Sequence, residues 1–257
     1  MRTFLFLALA TLSSACAVPR LGVQPRYEHL ALSGGIGATA TGLRATSDLD
    51  AAGLETNQTL GGRLDLDLGS PHWIVLAQGP RFEGDGTLTA ELSLGGETLP
   101  VGTDVESRVD LDQYALALVF DVVPGDTVEL GLGLGATYLG LDFDFQGDVA
   151  GSPVRVASRE QLPVPLFVVA GGVWIGPVEI GVYLGAMDIE VGSDSARYLD
   201  ADLYVRCRVL GGEERLRASV LLGVRRTTVD VEYEDEDSAI DAELDLDGLF
   251  VGLELTL

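Results

Sequence analysis

The stretch TVELGLGLGATYLGLDFDF, residues 127–145, decides the fold. Every second residue reads Val128, Leu130, Leu132, Leu134, Ala136, Tyr138, Gly140 and then, with no change of phase, Asp142 and Asp144. Side chains of a strand alternate between its two faces, so all of these share one face. Inside a water-soluble barrel that face would bury unpaired carboxylates beside its leucines, at several kcal/mol each. Facing hydrocarbon at one level and water at the next, it carries no such penalty.

Four more segments repeat the switch. Residues 177–191 give Val178, Ile180, Val182, Leu184 and Ala186, then Asp188 and Glu190. Residues 214–234 give Ala218, Val220, Leu222 and Val224, then Asp230, Glu232 and Glu234. Strands running the other way show it in reverse. Backward from Val122 come Phe120, Leu118, Leu116 and Tyr114, then Asp112 and Asp110; backward from Leu257 come Leu255, Leu253, Val251 and Leu249, then Asp247 and Asp245. The apolar stretch covers nine residues in 114–122, 178–186 and 249–257. At about 3.3 Å per residue and a tilt of about 40° this rises roughly 23 Å, against a lipid-facing band of about 25 Å. The opposite face is complementary: small or charged at membrane level (Glu129, Gly131, Gly133; Glu179, Gly181; Arg217, Arg225; Glu254), apolar above it.

Composition agrees. Of 257 residues 40 are acids and 16 are bases, all of them arginine, for a net charge of −24; yet 47% are hydrophobic, which excludes a disordered chain. The sequence shows no basic patch to meet phosphates, which disfavours nucleic-acid binding. Two cysteines exclude a disulfide scaffold. Residues 1–17 read as an export signal, with Arg2 as its charged start, Phe4 to Leu12 as its apolar core and Ser13 to Ala17 as a small-residue cleavage region. Ser14-Ala15-Cys16 also fits a lipidation site at Cys16, so two processing routes compete. Residues 18–27 are expected to be a short periplasmic segment and 28–257 the barrel.

Short connections (Gly69-Ser70-Pro71, Pro124-Gly125-Asp126, Gly176-Pro177, Gly211-Gly212) alternate with longer polar ones. This is the layout of an all-β, closed up-and-down antiparallel transmembrane barrel, with short turns at one rim and long loops at the other. Ten strands are expected, eight or twelve being the alternatives: 28–43, 59–68, 72–93, 108–123, 127–145, 161–175, 177–191, 197–210, 214–234 and 240–257. The chain thus resembles the small outer-membrane β-barrel proteins of Gram-negative bacteria, similar to the OmpW type, in architecture and export signal rather than in a diagnostic motif. That resemblance implies a bacterial outer-membrane location, with membrane lipid, lipopolysaccharide and the barrel assembly machinery as partners.

Candidate functional residues fall in three groups. Arg63, Asp65, Asp67, Glu129, Glu179, Arg206, Arg208, Arg217, Arg225 and Glu254 should point into the lumen, where paired arginines and carboxylates would plug a ten-stranded barrel or line a narrow polar channel. Leu141, Phe143, Val229, Val231, Leu244 and Leu246 should line the interior above the membrane, as a packed core or as a pocket for an apolar molecule. Glu232, Glu234, Asp235, Glu236 and Asp237 gather at one hairpin tip, where hard divalent cations would bind weakly; no firm metal site and no cofactor is expected. Glu243-Leu-Asp245-Leu-Asp247-Gly248 nearly matches a calcium loop, but no helix follows it. The histidines, His29 and His72, both map near the inner rim with no nucleophile in view, so no enzyme is expected. Three roles remain: a structural or surface barrel that binds or passes small solutes; a channel or binder for apolar molecules; and a soluble periplasmic barrel lipoprotein tethered by Cys16.

Overall fold

A computed structural model describes residues 19–39, 46–54, 56–94, 97–125, 127–191, 194–211, 216–235 and 238–257. The export signal, Cys16 included, lies outside them. The strands are β1 (Arg20–Thr39), β2 (Thr46–Asp48), β3 (Thr56–Asp67), β4 (His72–Gln78), β5 (Arg81–Thr87), β6 (Leu92–Leu94), β7 (Glu97–Leu99), β8 (Asp104–Val123), β9 (Val128–Val149), β10 (Ser152–Ile175), β11 (Val178–Val191), β12 (Asp194–Leu210), β13 (Arg217–Asp235) and β14 (Ser238–Thr256). Antiparallel neighbours follow one another along the chain, and β14 pairs back onto β1, from Gly22↔Thr256 to Thr39↔Ala239. The result is a closed barrel of ten staves, β4 and β5 forming one stave because both pair with β8.

The face that begins at Val128 points outward. Leu132, Leu134, Leu222 and Leu253 are between 48% and 62% exposed. Exposed apolar side chains continue around the circumference through Tyr27, Leu60, Val75, Leu116, Phe167, Val182 and Leu203. A monomer in water does not carry an unbroken apolar belt of this extent. The wall therefore meets lipid, and a soluble barrel is ruled out because its intended core is the outer surface. The fold and its belt are those of an outer-membrane barrel.

Several segments differ from expectation, among them β10, which begins at Ser152 and not at residue 161, so that β9 and β10 form one long hairpin. β1 starts at Arg20, not at residue 28, so residues 20–27 are wall paired to both β14 and β3 rather than a periplasmic segment. Pro25 masks this in the sequence: it has no N–H for the ladder, and the pairing to β14 lapses at residues 24 and 25 before resuming in the same register. His29 consequently rises to the outer face beside Leu249 and Gln58, away from the short-turn rim. The expected strand 72–93 is two strands, broken at Gly79-Pro80. Beyond it the chain turns inward: hairpin β6–β7 reaches across the mouth to touch both β1 and β10. Residues 49–54 fold in beside β5, where the Thr87 amide donates to the Ala51 carbonyl at 2.9 Å. Leu49, Leu54, Leu88, Leu92 and Leu99 from these insertions are buried.

The wall also has an open flank. The ladder between β10 and β11 ends at Phe167↔Ala186, while β10 stays paired to β9 from Ser152 to Val173. Trp174 donates its amide to Thr127 on the β9 side, and the β9–β10 register is unbroken, so even-numbered β10 residues bond to β9 and odd-numbered ones face β11. Pro163 and Pro165 are odd-numbered. Both occupy positions where a backbone N–H would have pointed at an absent partner.

Candidate functional site

The lumen has three levels. The central polar level lies in the membrane zone and is built by alternate residues of β1, β4, β8, β12 and β13. Arg26 donates to Asp202 at 2.6 Å, both side chains being at most 1% exposed. Arg225 donates to Asp200 at 2.8 Å and lies 3.6 Å from Asp202 and 3.9 Å from Glu28. Asp200 also accepts from Gln113 at 3.0 Å and from Thr227 at 3.1 Å. Gln113 reaches Tyr198 at 2.6 Å and accepts from Gln78. The net is continuous across opposite walls, so it spans the lumen rather than lining it.

Below it, Arg63 donates to Asp65 at 2.6 Å, and Arg206 bonds both Glu179 and Glu254. Gln24 ties Glu254 at 2.6 Å and Asp65 at 3.1 Å. Aromatic rings fill what charge does not. The Tyr204 ring covers Gly181 on the neighbouring strand, where a Cβ would sit 2.3 Å from it, and Phe250 likewise covers Gly223. Arg26 then stacks on Phe250 at 4.5 Å and Arg63 on Tyr183 at 5.6 Å. Glycines on the inner face are thus seats for rings, and the rings are platforms for guanidiniums.

Above the net the interior is apolar. Leu141, Phe143, Val229, Leu244 and Leu246 are buried in one continuous cluster, with Val231 packed against it. The same cluster takes in Leu49, Leu54, Leu88, Leu92 and Leu99 from the inserted segments. Side chains from the wall and from the insertions fill the region read as a pocket. The acidic tip, Glu232, Glu234, Asp235, Glu236 and Asp237, lies outside the described side chains. Among the described residues no group of His, Cys, Asp and Glu is arranged to hold a metal ion.

At the short-turn end a cavity of about 500 Å³ opens between turn residues such as Gly125 and Gly176. The residues expected to form one lumen network divide here. Arg63, Asp65, Glu179, Arg206, Arg225 and Glu254 are paired in the depth. Asp67, Glu129, Arg208 and Arg217 line the cavity without joining the net, alongside Arg63, Asp65, Arg206 and Glu254, which line it too. His72 bonds Asp121 at 3.0 Å and sits 3.8 Å from Asp67 on the same rim. Sequence reading missed Gln24, Arg26, Glu28 and Gln113. The alternation that would have revealed the first three runs through Arg20-Leu-Gly-Val-Gln-Pro-Arg-Tyr-Glu and is interrupted by Pro25.

No family model and no curated protein matches the chain. Among solved structures, the outer membrane protease OmpT from Escherichia coli is similar with a TM-score of 0.55 at 11% identity, covering 92% of this chain and 97% of that one. The outer membrane protein OprG from Pseudomonas aeruginosa has a TM-score of 0.45 at 9% identity, covering 93% and 96%. The first likeness concerns the fold, which both chains share.

Proposed function

We propose that this outer-membrane barrel is a closed, non-catalytic surface protein whose wall and long acidic loops do its work, and not a channel. One observation carries the reading. The charge net crosses the lumen from Arg26 on β1 to Asp202 on β12 and Gln113 on β8, and the apolar cluster stands directly above it. A solute crossing would have to break buried ion pairs and then part a packed core. A buried pair stripped of one member costs about 3–5 kcal/mol, which leaves an open state scarcely populated. The packed upper interior favours this reading over a binder of apolar molecules through that region. A non-catalytic role fits the histidines, since His29 faces outward and His72 is engaged by Asp121.

Planar-bilayer recording of the reconstituted barrel tests this. The wild type should hold the bilayer at baseline, and Arg225→Ala with Arg26→Ala should introduce current if the net is the barrier. Stable ohmic conductance from the wild type would overturn the reading.

A further inference from the structure

With the lumen closed above it, the cavity at the short-turn rim is a dead end, and its charge is unevenly placed. Arg20 on β1, Arg208 on β12 and Arg217 on β13 line one side of it. None of the three has an ion-pair partner among the described residues, whereas Arg26, Arg63, Arg206 and Arg225 deeper in the lumen all do. They also act on one another: Arg217 lies within electrostatic reach of both Arg208 and Arg20. The cavity's carboxylates are engaged by other groups or set apart from the three: Glu254 is taken up by Arg206 and Asp65 by Arg63, Asp67 (opposite Arg20 in the β1–β3 ladder) and Asp121 are gathered around His72, and Glu129 stands on β9.

A chain of net charge −24 with no lysine has acids in excess to neutralise an arginine. Three adjacent guanidiniums left without one repel each other, and an oxyanion among them relieves that repulsion. Arg208 is held in place by stacking on Trp174, 4.9 Å from the ring centroid, with Arg206 5.2 Å from the same ring. A stacked guanidinium keeps its fork of N–H donors free at the edge, where phosphate or carboxylate oxygens accept in pairs.

We infer that this vestibule is a binding site for an oxyanion, a phosphate above all, held by Arg20, Arg208 and Arg217 and entered from the short-turn side. The phosphate could belong to a free solute or to a phospholipid headgroup reaching the rim, and the experiment separates the two.

Trp73 and Trp174 are the only tryptophans, so Trp73→Phe leaves Trp174 as the sole indole reporter beside the site. The full barrel is refolded in uncharged detergent and titrated with inorganic phosphate; in a second arm it is titrated with phosphatidylglycerol in mixed micelles. The inference expects a saturable change in Trp174 emission in one arm, which identifies the source. Arg208→Gln with Arg217→Gln should weaken that binding at least about tenfold, the loss of charged hydrogen bonds. Heat-modifiable gel mobility reports whether that variant still forms the barrel; if it does not, Arg20→Gln serves in its place. Absence of a saturable change in both arms up to about 10 mM, a bound beyond millimolar affinity, would overturn the site. So would a response that the folded arginine variants leave undiminished, or one that glycerol reproduces.

Discussion

The lower and upper halves of this lumen solve the same filling problem with opposite chemistry. At membrane level the interior is arginine, carboxylate and glutamine, while the exterior is leucine and valine. Above the membrane the interior is leucine, phenylalanine and valine, while the exterior carries Asp142, Asp144 and Asp245. The strands do not change phase between the halves; only the medium outside them does. Where lipid takes the apolar residues outside, the inward positions are left to polar groups, and these must satisfy one another because little water reaches them. Where water lies outside, the ordinary rule returns and the apolar face turns in.

Substitutions that mistake one half for the other should therefore fail in a graded order. The largest effect is expected for Asp202→Ala. It strands Arg26 and removes a neighbour of Arg225, and it should cost about 3–5 kcal/mol, read from urea unfolding of the barrel in vesicles. Next is Leu244→Ala in the upper core, at about 2–5 kcal/mol through the cavity it leaves; unlike Asp202→Ala, it should leave the bilayer electrically tight. If the two variants proved indistinguishable in both stability and conductance, the division of the lumen would be wrong. On the outer face, Leu132→Arg should cost roughly 2–4 kcal/mol at mid-membrane, whereas Asp144→Arg on the same face of the same strand should stay within about 1 kcal/mol. Equal tolerance at both positions would remove the lipid boundary between them.

The smallest effect concerns the outer ion pair of Asp144 and Arg155, 2.6 Å apart. Hydrogen bonding from Arg155 holds the Asp144 carboxyl below its ordinary 3.8. A carboxyl depressed on folding stabilises the fold above its unfolded value, and that contribution disappears as pH falls through the folded one. Arg155→Gln should accordingly lower the unfolding midpoint slightly at pH 7 and not at pH 2. A deficit that persists at pH 2 would mean that Arg155 contributes by packing rather than by charge.

The sequence carried the wall far better than the interior. A period of two and a switch of polarity at constant height are local signals, and they located the belt, the ten staves and the inward direction of Arg63, Glu179, Arg225 and Glu254. Partnership inside the lumen is not local: Arg26 and Asp202 are 176 residues apart, and strand alternation says which way each points but not which it meets. The inserted pieces, residues 49–54 and 92–99, have no period to read, because they pack against the barrel as turns and a short hairpin rather than adding a stave. Of the charged residues sorted into the lumen, those in the depth pair with one another, while at the rim Asp67 meets His72 and Arg208 and Arg217 have no ion-pair partner among the described residues. Height along the strand makes that difference, and it depends on where β1 begins.

The flank of β10 above Phe167 carries a consequence for assembly. An exposed strand edge is a growth point: another chain can add to it residue by residue, as a monomer adds to a polymer end. At Pro163 and Pro165 this edge lacks the groups through which such addition propagates. The pair behaves like a chain terminator, so that the barrel can leave part of its wall unlaced in a crowded membrane without that part becoming a seed.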